Sequence, residues 1–278
     1  LDRRTENSQH FKIGENEYQA KFFGGQPFYK DADKWFQVET ATTTLEAWNE
    51  LTKITLMEKI FGRNAFAVDY YATAGDGSVK YQAAANWDTA HNAVTGTAAS
   101  VDVLTVANMQ VTTWYIYRAF IPISTSAIPS GSTVTAATLN IYYYYIDGTE
   151  TTSVVQTSQA SSTVLATADY DAFSFTTGSN AVAPSSIIAY TAYTLDATGR
   201  SWIKTSGQAS NCGTDTGVTC LGVLGQLDIS DTAPNHRQPD DAAYNSSRAG
   251  TSQDPYLSVT YTTGSAAPST NSDIIFFD

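Results

Sequence analysis

The chain has 278 residues, only 15% of them charged, and a net charge of −12. The imbalance lies beyond residue 68: residues 1–68 hold nine Lys/Arg against ten Asp/Glu, and residues 69–278 hold six against seventeen. So acidic a body repels phosphate backbones and anionic bilayers, which argues against nucleic acid and membrane surfaces as partners.

No run approaches the ~20 apolar residues of a membrane span. Ser, Thr, Ala and Tyr are abundant, a β-rich extracellular composition rather than a helical cytosolic one. No signal peptide is visible, and the sequence opens at Leu1, which is read as a mature form whose export signal is gone.

Residues 1–43 begin with the polar lead LDRRTENSQHF and continue in short apolar pieces at 18–23, 27–29 and 35–38, separated by Gly24-Gly25 and a turn at 31–34. This predicts a small β-meander, too short to bury a core alone. Residues 44–65 are a helical connector. Thr43 with Glu46 and Thr55 with Glu58 have capping-box spacing, Gly62 suits a helix C-terminus, and the lack of one apolar stripe points to two short helices.

From residue 66 the charge thins and short strands recur. Strands are predicted at 79–83, 93–96, 101–106, 111–123, 133–146, 152–156, 173–175, 187–190, 193–196, 217–229 and 256–262, with one helical turn at 197–203. Pro122, Pro129-Ser130-Gly131, Asp147-Gly148, Thr177-Gly178 and Asp254-Pro255 punctuate them. Many short strands so spaced predict an all-β fold, a jelly-roll or β-sandwich over 66–262. Cys212 and Cys220, eight apart in CGTDTGVTC, are expected to form a disulfide.

The longest strand, ending in IYYYYIDG, looks greasy on both faces. Leu139, Ile141, Tyr143 and Tyr145 share one, and Val134, Tyr142, Tyr144 and Ile146 the other. One face is therefore expected in the core and the other under a cover. After a Gly/Ser/Pro linker, residues 263–278 end in an apolar strand, Ile274, Ile275, Phe276 and Phe277, between two acids, a segment suited to adding to a sheet edge.

Several segments resemble the DNRLRE-type, carbohydrate-binding-module-like jelly roll of extracellular bacterial and phage surface proteins: GDGSVKY at 75–81, NWDTAHNAVTGT at 86–97, RAFIPISTSAIPSGSTVTAATLNIY at 118–142, ADYDAF at 168–173, YTLDATGRSWI at 193–203 and RAGTSQDPYLSVTY at 248–261. The resemblance spans about two-thirds of the chain. Residues 4–39 also look like the β-segment that precedes such domains. The resemblance implies secretion, a sandwich fold and a polysaccharide-binding or structural role without a reaction.

No catalytic constellation assembles. The sequence lacks G-x-S-x-G, H-E-x-x-H and a P-loop, and the spacing of Asp169 and Asp171 suits a turn or cap better than a glycosidase pair. His91, beside Trp87, is expected to be a satisfied core or rim histidine. No cofactor is expected. Calcium is the one candidate ion, with Asp69, Asp76, Asp88, Asp228 and Asp231 near loops but no ordered ladder. Asn245-Ser246-Ser247 is a sequon. Tyr142, Tyr144, Trp114 and Tyr115 are candidates for a glycan or partner face.

The function expected from these features is a secreted, non-catalytic structural protein. It would be a subunit of an extracellular filament, with other copies of the chain as partners and inter-chain strand addition as the contact. The alternative is a carbohydrate-binding or adhesion module of a larger surface or phage-tail protein.

Overall fold

A computed structural model of the chain describes residues 9–13, 16–23, 26–31, 34–37, 65–110, 112–146, 150–184, 189–234, 241–243, 245–247 and 250–263. The chain divides into two units, 1–64 and 65–278.

In the first unit β1 (Gln9–Ile13), β2 (Asn16–Phe23), β3 (Gln26–Asp31) and β4 (Lys34–Gln37) pair antiparallel in chain order, the meander expected from the sequence. The predicted helical connector, up to residue 64, lies outside the described residues.

The second unit is an all-β sandwich of antiparallel strands. The spine of one sheet is β10 (Thr133–Ile146). On one side of it lies β13 (Ala189–Thr194). On the other lie β16 (Tyr256–Thr262) and, end to end with it, β15 (Asp241–Ala243). Beyond β16 lies β5 (Ala65–Tyr71).

The spine of the second sheet is β9 (Trp114–Ser124). One flank holds β6 (Gly77–Ala84) and then β7 (Ala98–Ser100). The other holds β14 (Val218–Gly225), β11 (Thr152–Thr157) and β12 (Phe173–Thr177). The strand β8 (Leu104–Gln110) belongs to both sheets: 104–106 pair with β15 and 107–110 with β9. A strand that changes sheets in this way turns a corner of the sandwich.

Between the sheets pack Leu139, Ile141 and Tyr143 of β10 against Ala119, Ile121 and Ile123 of β9, with Val154, Leu221, Val223 and Leu257. Tyr193 Oη sits among them, 2.9 Å from Tyr143 Oη and 2.7 Å from Thr152 Oγ1, so the core phenols hydrogen-bond one another rather than lie orphaned. The outer face of β9 is covered as well. Ile116 and Phe120 pack with Val79, Trp87, Leu165 and Tyr170. The cover comes from α1 (Trp87–His91) and a 3₁₀ turn (Thr167–Asp171).

The expectation for Val134 and Ile146 is corrected. Both pack against the inter-sheet core rather than sharing the outer face with Tyr142 and Tyr144. The register of β10 slips by one residue between Val134 and Ala136 and again between Tyr143 and Tyr145. Each bulge inverts the alternation, so the ends of the strand turn their aliphatic side chains inward and Tyr145 outward. The outer face of this strand is thus tyrosine, not aliphatic.

Other boundaries also differ. Residues 93–96 form no strand, and β5 and β15 are additional strands. One strand, β13, runs through 189–194, where a break between 190 and 193 is predicted. The 217–229 run ends as a strand at Gly225 and continues as a helical turn, α3 (Gln226–Ile229), whose Leu227 N–H donates to Glu150. The turn expected at 197–203 is α2 (Ala197–Ser201), N-capped by Asp196. Cys212 and Cys220 are bonded, with Cα atoms 6.0 Å apart. Among the described residues no helix is long and apolar enough to cross a membrane.

Candidate functional site

Three features of the described residues are candidates for a site: the buried ionic centre of Arg118, the buried acid Asp76 and a half-exposed aromatic face.

The ionic centre is Arg118. Strand alternation puts it between Ile116 and Phe120 on the outer face of β9, beneath α1 and the 3₁₀ turn, with no exposed surface. Its Nε and Nη2 each donate to one oxygen of Asp228 at 2.9 Å. Nη1 donates to the Tyr170 carbonyl and Nη2 also to the His91 carbonyl, both at 3.0 Å. The guanidinium lies 4.2 Å from the Tyr170 ring centre. Burial alone would lower its pKa, but the Asp228 carboxylate overrides that and raises it, so the group stays cationic.

His91 Nε2 lies 2.9 Å from the Asp228 carbonyl, and the ring stacks between Trp87 and Phe175. Trp87 Nε1 donates to Asp231 at 2.9 Å. His91 is thus a satisfied core histidine. The centre fastens three short helical turns, α1, the 3₁₀ turn and α3, to one strand.

Asp169 accepts backbone N–H bonds from Ala160 and Ala166, each 2.8 Å long, as a turn residue would. Asp171 lies half-exposed, 3.9 Å from Arg118. The two carboxylates are thus engaged with different partners.

The five acids considered for calcium are dispersed. Asp228 and Asp231 serve the Arg118 centre, Asp69 accepts from Ser258, Asp88 lies in the first turn of α1, and Asp76 is buried against Ser246. Among the described residues no group of three or more His, Cys, Asp or Glu side chains is arranged to hold a metal. Asn245 of the sequon is also buried, its amide donating to the Val101 carbonyl. A side chain so enclosed is a packing residue and no glycan acceptor.

Asp76 accepts from Ser246 Oγ at 2.6 Å and from Ser246 N at 2.8 Å. Burial pushes its carboxyl up to about 6, Ser246 opposing and Asp254 adding to the shift. The fold therefore binds this proton more tightly than the unfolded chain does. Its contribution to stability is complete below about pH 4 and falls as pH rises through about 6, a loss on the order of 3 kcal/mol. Asp76→Asn suits the same geometry: its amide donates to Ser246 Oγ, which donates on to the Thr73 carbonyl 3.0 Å away. Urea titrations at pH 4, 5, 6 and 7 are expected to show this slope in the wild type and its absence in the variant.

The aromatic face lies on the outer side of the β10 sheet. Tyr71 of β5, Tyr256 of β16, Tyr190 of β13 and Tyr142 of β10 form a continuous row across four strands, with successive ring centres 5.7, 5.1 and 5.2 Å apart. The edge-to-face packing of the last two pairs keeps the rings fixed in place. Tyr190 Oη donates to the carbonyls of Ser252 and Asp254, which ties the row to the loop before β16. Burial, then its neighbour Tyr256, pushes the Tyr190 phenol up to about 12, and burial together with Asp69 raises Tyr256. Both stay protonated, as neutral hydroxyl donors. Tyr71 is 40% exposed, and Tyr142, Tyr190 and Tyr256 are partly so.

Of the four residues expected to share a face, the structure keeps two together. Tyr142 and Tyr144 lie on this side of β10. Trp114 is on the other sheet, its ring 5.6 Å edge-on to Trp87 in the second core. Tyr115 points from the opposite side of β9, as adjacent strand residues must. The assembly strand, Ile274 to Phe277, lies outside the described residues. Tyr71, Tyr190, Tyr256 and Arg118 escaped sequence reasoning. Arg118 had a signal, a lone cation inside the apolar run WYIYRAFIPI.

The fold and the site thus define a disulfide-bonded all-β sandwich with a tyrosine row across one outer face. No family model matches the chain, and no curated protein is significantly similar to it.

Proposed function

We propose that the sandwich is a secreted, non-catalytic module that binds polysaccharide along the tyrosine row. The observation that carries this reading is the row itself: four rings from four strands, fixed by one another and partly open to solvent, with phenol hydroxyls beside apolar faces. Sugars offer C–H faces and hydroxyls together, and rings of this kind match both. The disulfide suits an oxidising compartment. The resemblance of 75–81, 118–142 and 248–261 to DNRLRE-type modules points the same way.

The filament reading keeps one supporting observation. Among the described residues β5 pairs with β16 alone, leaving its other edge open, with Val68 39% exposed. That edge is the kind to which a segment such as Ile274–Phe277 of a second copy would add.

A glycan array probed with the full chain and with Tyr71→Ala and Tyr142→Ala separates the two. Glycan binding is expected in the wild type and should weaken roughly two- to tenfold in each variant, at about 0.5–1.5 kcal/mol per stacked ring, with little change in melting. Trp114→Ala should melt earlier and, where folded, still bind. Retained binding in both tyrosine variants sinks the polysaccharide reading. An unbound array, with fibres by electron microscopy that vanish on deleting residues 273–278, transfers the weight to the filament.

A further inference from the structure

Asp76 lies in the loop that follows β5 and is only 1% exposed. Tyr71, at one end of the tyrosine row, closes β5 just before that loop. The row is tied to the same place from the other side. The Ala72 N–H donates to the carbonyl of Pro255, which stands between Asp254 and Tyr256, at 2.9 Å. Tyr190 Oη donates to the carbonyls of Ser252 and Asp254, at 3.0 and 3.1 Å. The loop after β5 and the loop before β16 therefore meet at the tyrosines, each with a buried acid.

The contacts of Asp76 are those of a carboxyl that keeps its proton. Ser246 Oγ has one hydrogen to give and two acceptors for it, the Asp76 carboxyl at 2.6 Å and the Thr73 carbonyl at 3.0 Å. Both contacts are made when Asp76 is protonated. Its Oδ1 then donates to Oγ, Oγ donates on to Thr73, and Oδ2 accepts the Ser246 N–H at 2.8 Å. Ionisation breaks this relay: the hydroxyl turns to the carboxylate, and the Thr73 carbonyl loses that donor. A second negative charge also appears near Asp254, itself 5% exposed. Among the described residues Asp254 is the one charged group that acts on Asp76; Ser246 and Thr73, which hydrogen-bond around it, are neutral.

A buried charge of this kind is relieved by opening toward water, and the least held stretch yields first. That stretch is the loop before β16. Gly250, Thr251 and Ser252 are exposed, and the bond from the Asp254 N–H to the Thr251 carbonyl is 3.3 Å long.

We infer that Asp76 is a proton-operated latch on the tyrosine row: protonated, it keeps the 250–255 loop closed with Tyr190 tied to it, and ionised, it lets that loop open and releases the ring. The row is thus set for binding in acid and loosened near neutrality. Its use in regulating a ligand rests on the row being the binding surface, whereas the latch itself does not. Linkage sets the size of the effect. In the closed loop burial holds the Asp76 carboxyl at about 6, and an opened loop returns it to the ordinary range of about 4. Raising the pH across that interval favours opening by up to about a hundredfold.

The test uses the full chain without any ligand, so its failure is distinct from a failure of the polysaccharide reading. Hydrogen exchange, corrected for its intrinsic pH dependence, is followed from pH 4.5 to 7.5. Protection of the Ala72 and Asp254 amides is expected to fall at least about tenfold between pH 5 and 7, while the Leu221 and Val223 amides of β14 stay far better protected. Asp76→Asn keeps the relay without the charge and should hold both loop amides as well at pH 7 as the wild type does at pH 5. The ring signals of isotope-labelled Tyr190 should move with a midpoint at about 6 in the wild type and stay still in that variant. Tyr190→Phe, which lacks the hydroxyl bonds to Ser252 and Asp254, should loosen the loop already at pH 5. Asp254→Asn serves should Asp76→Asn not fold; with the like charge gone, the midpoint is expected to come down. Loop protection indifferent to pH, or a slope that survives Asp76→Asn, overturns the inference. So do loop amides that exchange only together with those of β14, as in plain global unfolding.

Discussion

Arg118→Ala is expected to destabilise the sandwich by about 3–5 kcal/mol, enough to unfold much of a marginal domain. The reason is what is left behind. Asp228 is only 1% exposed and takes two of its hydrogen bonds from Arg118. Without the guanidinium its charge stays buried and uncompensated, and the carbonyls of Tyr170 and His91 lose their donor as well. Lysine is no remedy, because one ammonium cannot span a two-oxygen carboxylate and two carbonyls on different loops. The contrast is Asp171, half-exposed and 3.9 Å away, whose alanine variant should cost less than about 1 kcal/mol. Chemical denaturation of both variants and of Asp228→Ala checks the pattern, and the Arg118–Asp228 double variant should cost less than the sum of its parts. A mild Arg118→Ala would mean the centre is not what fastens the loops.

The second large effect is steric. Gly199→Ala is expected to cost about 2–3 kcal/mol, at the upper end of what overpacking does. A β-carbon on Gly199 would stand 2.2 Å from the Gly178 carbonyl oxygen and about 3.0 Å from that residue's carbonyl carbon, all backbone. Gly178 cannot step aside. Its carbonyl accepts from Asp196, its N–H donates to Val154, and its own α-carbon backs onto Trp202. Gly207→Ala is the control. It meets open space and bears only the cost of its φ of +76°, about 1 kcal/mol. Melting curves that rank the two the other way round would remove the close approach of α2 to the Thr177-Gly178 turn as a determinant of this fold.

These sites also mark where sequence reading succeeds and stops. The run over 133–146 states its own strand through β-branched and aromatic residues and a closing Asp-Gly. What it does not state is its two bulges, because an extra residue leaves no trace in composition. Plain alternation therefore puts Val134 and Ile146 on the wrong face. The short elements were illegible for a related reason: β15 has three residues and α1 five, too few to show a period. Of α1 only the cap could have spoken, Asn86 accepting from Thr89 N at 2.9 Å.

The tyrosine row was half-legible. Tyr142 and Tyr144 are neighbours in sequence, whereas Tyr71, Tyr190 and Tyr256 reach them only across three strand pairings. The separation of Trp114 from Tyr115 followed already from the two-residue period of a strand. Arg118 needed its partner to be understood, and Asp228 lies 110 positions away.

The pairing of β5 with β16 sets Ala65 directly opposite Thr262. The first and last described strands of the sandwich thus meet at the same end of one antiparallel ladder. Tension drawn through residues 65 and 262 would act across that ladder, parting its rungs one after another rather than shearing them all at once, and each rung is a modest hydrogen bond. Under mechanical load such a module yields first at its own seam, peeling β5 away while the corner formed by β8 still holds the two sheets together.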